Sequence, residues 1–345
     1  MKLAIVIPCY NEESVLPETH RRISALLRRL IAAGKVSPDS QVYFVDDGSS
    51  DRTWEVIETM IAADAHVVGV KLSRNRGHQN ALIAGLFTAD GDAVVSVDAD
   101  LQDDIDAIEE MLDRFRVGDE IVYGVRKRRN TDTFFKRAMA QTFYRALSLL
   151  GVESVYNHAD YRLMSRRAVE CLKTFKEVNL YLRGIIPLLG FRSSIVYYDR
   201  TSRFAGTSKY PLRRVMALAL DAITSFSVVP LRLITLAGFL IFVCSMAVTV
   251  WALWVKFVTK SALPGWTSIV LPMYFLGGVQ IFCIGMIGEY LGKIYAEVKA
   301  RPRFLIERVA SRTLPQSLSG ETGAEYAVAE TDVKRVDRLS VPSTS

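Results

Sequence analysis

The stretch Ala93–Asp104, which reads AVVSVDADLQDD, decides how the fold of this chain is interpreted. Its first five residues are small or β-branched and uncharged, as in a buried β-strand. Four carboxylates follow directly: Asp98, Asp100, Asp103 and Asp104. Carboxylates this close together repel one another unless a cation lies between them. Mg²⁺ or Mn²⁺ takes such oxygen ligands, commonly together with a substrate's phosphates. The alternative is a solvated acidic turn that caps the next helix.

Strand and helix patterns alternate around this stretch. Strands are predicted at residues 3–7, 41–45, 67–72 and 93–97, with helical segments between them. This alternation predicts an α/β fold with a Rossmann-like, mostly parallel sheet. Polar residues follow each strand, and ligands of open α/β sheets bind at that carboxyl edge. The first strand is not followed by G-x-G-x-x-G, and the chain has no G-x-x-x-x-G-K-[ST], which disfavours a glycine-rich dinucleotide site and a P-loop.

The polar residues after the first two strands suit the recognition of a nucleotide. Tyr10 can stack on a base, and Asn11 and Glu12 can hydrogen-bond a base or a ribose. Asp47 can accept the imide N–H of a base, which favours uridine. The alternative is a turn stabilised by the carboxylates of Asp46 and Asp47, and the two roles can coexist.

The charge, cysteine and histidine content limits the expected partners, redox compartment and metal ligands. The net charge is +6, and basic residues concentrate in 126–145 and 200–214. Such clusters suit nucleic acid, anionic lipid or a phosphorylated ligand, and the apolar runs nearby favour the last two. The four cysteines show no metal-like spacing, so we expect no disulfide framework and a reducing cytoplasmic setting for the soluble part. His78 is predicted to be structural, because no second histidine lies at a useful spacing.

The C-terminal third carries two uncharged apolar runs, Leu233–Val255 and Trp266–Gly288. Each is long enough to cross a hydrocarbon core of about 30 Å as a helix, and a buried hairpin in a soluble protein is the alternative. Lysine and arginine are more frequent outside the pair than in the connecting loop, so both termini are predicted to be cytoplasmic. Segments 133–150 and 211–230 interleave apolar and basic residues, as in helices at a membrane interface; core packing is the alternative for the first.

Four motifs in order carry a resemblance to a known family. They are VIPCYNEE at 6–13, VDDGSSDRT at 45–53, LSRNRGHQNALIAG at 72–85 and VDADLQDD at 97–104. Together they resemble the inverting family 2 glycosyltransferases with the GT-A fold. Within that family the chain is similar to the polyprenyl-phosphate glycosyltransferases, the group that contains bactoprenol glucosyltransferase and dolichyl-phosphate mannose synthase. The resemblance covers roughly residues 1–300.

The resemblance implies a nucleotide-sugar donor, a divalent metal ion and a lipid-phosphate acceptor. It implies that Asp98, Asp100 and Gln102 bind the metal, which is Mg²⁺ or Mn²⁺. The segment from Arg203 to Lys209 is similar to the family's R-x-x-G-x-S-K loop, which closes over the donor diphosphate. The residues implied for the donor site are Pro8, Tyr10, Asn11, Glu12, Asp47, Asp98, Arg203 and Lys209.

The resemblance also implies where the acceptor binds. It places the acceptor phosphate on Arg126 and Arg137, and a guanidinium suits this role because it binds phosphate bidentately and stays charged. The block HADYRLM resembles the family's D-[FY]-R-L-M, so Asp160 would face the reaction centre; a carboxylate that merely pairs with Arg162 is the alternative. The implied catalytic residues are Asp98, Asp100, Asp160 and Arg203.

These features divide the chain into four predicted segments. Residues 1–210 form a cytoplasmic catalytic domain that includes the interfacial helix at 133–150. An amphipathic interfacial helix follows at 211–230, and a two-helix transmembrane hairpin at 231–292. Residues 293–345 form a cytoplasmic tail whose end is predicted to be disordered, since it lacks any apolar periodicity.

The predicted reaction is the inverting transfer of a hexose, with glucose preferred, from a UDP-sugar to undecaprenyl phosphate at the cytoplasmic membrane face. Its product would serve cell-surface glycan modification. Membrane lipid is an expected partner, nucleic acid is not, and a homo-oligomer is compatible with the sequence. A mannosyltransferase that uses GDP-mannose and an amino-arabinose transferase, both with a polyprenyl-phosphate acceptor, are the alternatives within the class. A processive polysaccharide synthase is disfavoured because Q-x-x-R-W is absent, and an inactive scaffold because the carboxylates are retained.

Overall fold

A computed structural model describes residues 1–126, 158–177, 182–199, 229–254 and 266–312. Within these residues it shows an eight-stranded sheet covered by helices, followed by two long helices. The predicted α/β class with a mostly parallel sheet is therefore confirmed, although two of the eight described strands run antiparallel to their neighbours.

The parallel centre of the sheet comes from the amino-terminal part of the chain. It consists of β1 (Leu3–Cys9), β2 (Gln41–Asp46), β3 (Val67–Leu72) and β4 (Ala93–Ser96). The pairs β1/β2, β1/β4 and β2/β3 are all parallel. Every residue of β1 and β4 is buried, as the uncharged β-branched runs require for strands covered on both faces. The predicted strands are confirmed to within two residues at their ends.

The remaining strands extend this centre in both directions. They are β5 (Ile121–Arg126), β6 (His158–Ser165), β7 (Ser193–Tyr198) and β8 (Ile306–Ser311). The strand order across the sheet is β7-β5-β6-β4-β1-β2-β3-β8. Strand β6 lies antiparallel between β4 and β5, and β7 is parallel to β5. The DYRLM block therefore lies directly beside the acidic stretch that follows β4.

Helices cover both faces of the sheet and bury its apolar side chains. One face carries α1 (Leu16–Ala32), α2 (Thr53–Ala63) and α4 (Ala107–Arg116); the other carries α3 (His78–Thr88), α5 (Arg166–Lys173) and α6 (Leu182–Leu188). Close packing of α3 on β1 depends on Gly85, because a Cβ there would lie 2.3 Å from a methyl group of Val6. The two packed layers fix the sheet edge where the site lies.

Two long helices follow the sheet domain, α7 (Val229–Trp254) and α8 (Trp266–Val298). They coincide with the two apolar runs predicted to form the hairpin. Within the described parts of the chain, no helix satisfies both the length and the apolarity needed to cross a membrane.

Strand β8 adds an element that sequence analysis did not anticipate in the segment 293–345. It pairs antiparallel with β3 and is tied to the sheet domain by ion pairs of Lys71 with Glu307, at 2.9 Å, and of Glu58 with Arg308, at 2.8 Å. The strand protects an otherwise open sheet edge. Part of the predicted tail is thus a structural strand, which brings the chain from the end of α8 back to the catalytic domain.

Candidate active site at the carboxyl edge of the sheet

The polar segments after β1, β2, β3 and β4 meet at one edge of the sheet, because these strands are parallel and adjacent. This is the edge at which open α/β sheets bind ligands.

The loops after β1 and β2 are joined by Asn11. Its backbone is in the left-handed region, with φ 54°, its amide donates to Ser49 Oγ at 3.0 Å, and its side-chain oxygen accepts from the Ser50 amide at 2.9 Å. The amide of Glu12 donates to Thr53 Oγ1 at 2.9 Å. Asn11 therefore shapes this loop, while the Tyr10 ring is 47% exposed beside it. The roles of these residues in donor binding stay predictions.

Asp47 joins the loop after β2 to the loop after β3. It is buried, and its two carboxylate oxygens accept hydrogen bonds from the amides of Arg76 at 2.7 Å and Gly77 at 2.8 Å. The loops after β2 and β3 approach each other closely at Gly48. Its φ is +64°, and a Cβ there would lie 2.5 Å from the carbonyl carbon of Arg74, so the position requires glycine. Asp47 thus positions the start of α3, and its predicted contact with a base stays a prediction.

Asp46 stabilises a turn, which was the alternative to nucleotide recognition for Asp46 and Asp47. Its Oδ1 accepts a hydrogen bond from the Ser49 amide at 3.1 Å, as in a turn stabilised by a carboxylate.

The acidic loop after β4, defined as residues 98–104, is held by neighbouring elements. Thr19 Oγ1 donates to the carbonyl of Ala99 at 2.8 Å, and the Tyr161 hydroxyl donates to the carbonyl of Asp104 at 2.9 Å. Leu101 has φ 55°, a strained conformation for a leucine that these contacts stabilise. The loop is therefore held in shape by side chains from α1 and from β6.

The loop concentrates negative charge as its sequence predicts. Burial raises the pKa of Asp98 to about 6; neighbouring carboxylates add to this effect and His78 opposes it. Asp100 lies two residues further on, and its Oδ1 accepts from the Gln102 amide at 3.2 Å. An electrostatic field of this sign favours a bound cation.

The donor atoms of the acidic loop fit a divalent ion that arrives with its substrate. No three His, Cys, Asp or Glu side chains are grouped to hold a metal anywhere in the described ranges. Mg²⁺, however, is usually bound by one or two carboxylates together with substrate phosphates. Asp98 and Asp100 supply two carboxylates on one short loop, and the negative charges of Asp100, Asp103 and Asp160, which a cation would offset, act on Asp98.

His78, which sequence analysis interpreted as structural, lies between two of the site's carboxylates. It is the first residue of α3, and its Nε2 is 3.6 Å from Asp98 Oδ1 and 3.7 Å from Asp160 Oδ2. The structural interpretation is incomplete, since the imidazole connects the acidic loop to β6. No sequence spacing indicates this contact, because His78 begins α3, Asp98 follows β4 and Asp160 lies within β6.

Asp160, on β6, pairs with two arginines. Arg162 donates to its Oδ1, and Arg183 Nη2 lies 3.3 Å from its Oδ2. Burial alone would raise the pKa of Asp160, but Arg162, Arg183 and His78 outweigh it and hold that pKa below its usual value. The ion pair with Arg162, which was the alternative interpretation, therefore exists, and Asp160 also faces His78; its role at the reaction centre stays a prediction. Arg183, on the short helix α6, was not anticipated from the sequence.

Arg126, the predicted acceptor arginine, lies at the end of β5 beside the acidic loop. Its Nη2 is 3.5 Å from Asp103 Oδ1. The other predicted acceptor arginine, Arg137, and the predicted donor residues Arg203 and Lys209 lie outside the described residues, as do the interfacial helix at 133–150 and nearly all of 211–230.

The sequence that forms this sheet edge matches a known family model. Residues 4–173 match the model described as glycosyl transferase family 2, and residues 229–294 match the model of the GtrB C-terminal hairpin. The chain belongs to glycosyl transferase family 2 and is a glycosyltransferase. The predicted family and enzyme class are confirmed.

Particular relatives extend over most of the chain. An uncharacterized glycosyltransferase of Bacillus subtilis, YkoT, is 48% identical over 307 residues, which cover 88% of this chain and 91% of YkoT. The bactoprenol glucosyl transferase of Shigella phage SfX is 37% identical over 309 residues, covering 89% of this chain and 99% of that protein. Among solved structures, glucosyl-3-phosphoglycerate synthase from Mycobacterium tuberculosis aligns with a TM-score of 0.41 at 18% identity, covering 65% of this chain and 76% of the synthase.

Proposed function

We propose that this chain transfers glucose from UDP-glucose to undecaprenyl phosphate, inverting the anomeric carbon. The observation that carries the proposal is its similarity, over nearly their full length, to proteins named bactoprenol glucosyl transferase. The hairpin match points the same way, because it extends the likeness beyond the catalytic domain. The geometry supports the proposal, since the carboxylate cluster and Arg126 lie at one edge of the sheet, where a diphosphate and an acceptor phosphate can meet.

In the proposed reaction, an acceptor phosphate oxygen attacks the anomeric carbon while the bond from that carbon to UDP breaks. Asp98, Asp100 and Gln102 would hold a divalent ion, Mg²⁺ or Mn²⁺, which supplies charge neutralisation for the leaving diphosphate when bound. The acceptor is a phosphate monoester with a second pKa of about 6, so it is largely ionised at neutral pH and needs no strong general base. Asp160, which two arginines keep ionised, would orient the acceptor or the sugar.

A donor screen tests this function. The purified chain is incubated with undecaprenyl phosphate and, in separate reactions, with labelled UDP-glucose, UDP-galactose, UDP-N-acetylglucosamine, GDP-mannose and UDP-amino-arabinose. We expect label in the lipid fraction chiefly with UDP-glucose, and a β-linked lipid product from the α-linked donor. Preferred transfer of mannose or amino-arabinose would contradict the choice of donor. Retention of the anomeric configuration would contradict the mechanism.

We further propose that the reaction takes place at the cytoplasmic face of the inner membrane, with α7 and α8 as a spanning hairpin. The support comes from the two uncharged apolar runs of the complete sequence and from the lysine and arginine bias around them. Large apolar side chains such as Phe239, Trp251 and Ile281 are more than half exposed on these helices. Strand β8 also follows α8 back to the sheet, which agrees with placing both ends of the hairpin on the catalytic side.

The proposed topology predicts a labelling pattern. In a background whose four cysteines are replaced by serine, Ser261→Cys in the connecting loop should react with an impermeant maleimide in intact cells. Ser345→Cys should react only after the membrane is broken, because the positive-inside rule places the C-terminus in the cytoplasm. Protection of position 261 in intact cells, with labelling after lysis, would contradict the topology.

A further inference from the structure

Arg126 belongs to a network that joins three separate parts of the sheet edge. The hydroxyl of Tyr198, at the end of β7, donates to Asp103 Oδ1 at 2.6 Å and accepts from Arg126 Nε at 3.2 Å. Arg126 Nη2 lies 3.5 Å from the same carboxylate oxygen. One phenol thus connects the acidic loop to the arginine at the end of β5.

The network is buried on the side of the acidic loop. Tyr198 is 2% exposed and its ring packs edge-on against Tyr161, with ring centroids 5.2 Å apart. Burial and the nearby Asp103 raise the pKa of the Tyr198 hydroxyl, which therefore stays protonated and donates. Asp103 is also buried, and its Oδ2 has no hydrogen-bond partner among the described residues. A buried carboxylate whose hydrogen bonds are not all satisfied lowers the stability of the fold unless a cation compensates its charge. Arg126 is the cation beside Asp103.

Arg126 is anchored along one edge of its guanidinium but is not enclosed. The contacts to Tyr198 and Asp103 use Nε and Nη2, and 23% of the side chain is exposed. A guanidinium carries five N–H donors in a planar fork, so a group held at one edge can present the rest in a defined direction. Pre-positioning of this kind lowers the entropy lost when a phosphate binds.

We propose that Tyr198 and Asp103 are positioning residues, which aim the guanidinium of Arg126 at the acceptor phosphate. This inference rests on the proposed function, in which Arg126 binds that phosphate. It adds a physical link between the two halves of the site, because the loop that carries Asp98 and Asp100 also carries the carboxylate that holds Arg126. The competing explanation is that Tyr198 only holds the acidic loop in shape.

The test compares Tyr198→Phe with Tyr197→Phe as a matched control. Tyr197 is the preceding residue of β7 and is 55% exposed, so the same chemical change there removes no contact of the network. Because Tyr198 would act on the phosphate only through Arg126, Tyr198→Phe should raise the acceptor KM about 3- to 10-fold, the range that corresponds to one ordinary hydrogen bond. We expect kcat and the UDP-glucose KM to stay within about twofold, because the phenol acts only through Arg126. Tyr197→Phe should match the wild type.

A double-mutant cycle separates positioning from a structural role. If Tyr198 acts through Arg126, then Tyr198→Phe has no further effect on the acceptor KM in an Arg126→Ala background. An equal effect in both backgrounds, or an effect confined to kcat or the UDP-glucose KM, would overturn the proposal. Asp103→Asn is a second variant, which keeps an acceptor oxygen but removes the charge; it should raise the acceptor KM and obey the same cycle.

Binding measured without donor distinguishes a failure of this inference from a failure of the proposed function. Undecaprenyl phosphate in detergent is titrated into each variant, and Tyr198→Phe should bind it about 3- to 10-fold more weakly than the wild type. A wild-type chain that binds the lipid but does not transfer glucose would refute only the choice of donor, and the binding constants would still test the network. A wild-type chain that does not bind the lipid would overturn both.

Discussion

Asp100→Asn is expected to lower the rate of sugar transfer about 100- to 1,000-fold, the range seen when one group that stabilises developing charge is removed. In the proposed mechanism this carboxylate holds the ion that neutralises the leaving diphosphate, and a neutral amide is a much weaker ligand for a hard cation. The fold should be retained, because the Asp100 Oδ1 that accepts from the Gln102 amide has a counterpart in asparagine. The measurement is initial rate at saturating donor and acceptor, with the melting temperature of each preparation.

Asp104→Asn is the matched control on the same loop. Asp104 is exposed, and its Oδ1 accepts a hydrogen bond from the Asp106 amide at 3.0 Å, which asparagine preserves. We expect nearly wild-type rates. EDTA should abolish wild-type transfer, and Mg²⁺ or Mn²⁺ should restore it. Full activity of Asp100→Asn in excess EDTA would show that this loop does not bind a catalytic metal.

Asp160→Asn is expected to lower the free energy of unfolding by about 3–5 kcal/mol, the usual cost of breaking a buried ion pair from one side. The reason is Arg162, whose side chain is 1% exposed and whose Nε and Nη1 have no hydrogen-bond partner among the described residues. Removal of the carboxylate leaves this guanidinium without its buried counter-charge. Arg183, which also contacts Asp160, would lose the same partner. The measurement is denaturant unfolding of the purified chain in detergent.

Asp119→Asn provides the comparison. Asp119 is also buried and pairs with Arg192 at 2.9 Å, but the Arg192 side chain is 65% exposed. Since water can solvate that arginine, we expect a loss of only about 0–1 kcal/mol. Similar small losses in both variants would contradict a stabilising role for the Asp160–Arg162 pair. If Asp160→Asn retained wild-type stability but lost transfer, Asp160 would act at the reaction centre alone.

For Asp160, the local sequence pattern left two interpretations open, and tertiary contacts show which groups the carboxylate meets. The motif HADYRLM indicated both a reaction-centre carboxylate and an ion pair two residues apart, and sequence spacing did not choose between them. The structure places the carboxylate in contact with Arg162 and near His78 at once. The ion pair is therefore present and brings Asp160 beside His78, because β6 lies next to β4, and the role of Asp160 at the reaction centre stays a prediction.

Some assignments depend on residues beyond the described ranges. Arg137, Arg203 and Lys209 stay predictions from the family resemblance, and so do the interfacial helices.

The sequence by itself determined the α/β class, the first four parallel strands and the acidic loop at their carboxyl edge. These features depend on local information, since a buried strand is an uncharged β-branched run and a polar cluster follows it within a few residues. Only the tertiary structure decided that β6 runs antiparallel between β4 and β5, that β8 closes the far edge, and that His78, Asp160 and Arg183 meet. It also decided that Tyr198 connects Asp103 to Arg126. Contacts of this kind join residues that are tens to hundreds of positions apart, and they follow from the strand order, which no local pattern encodes.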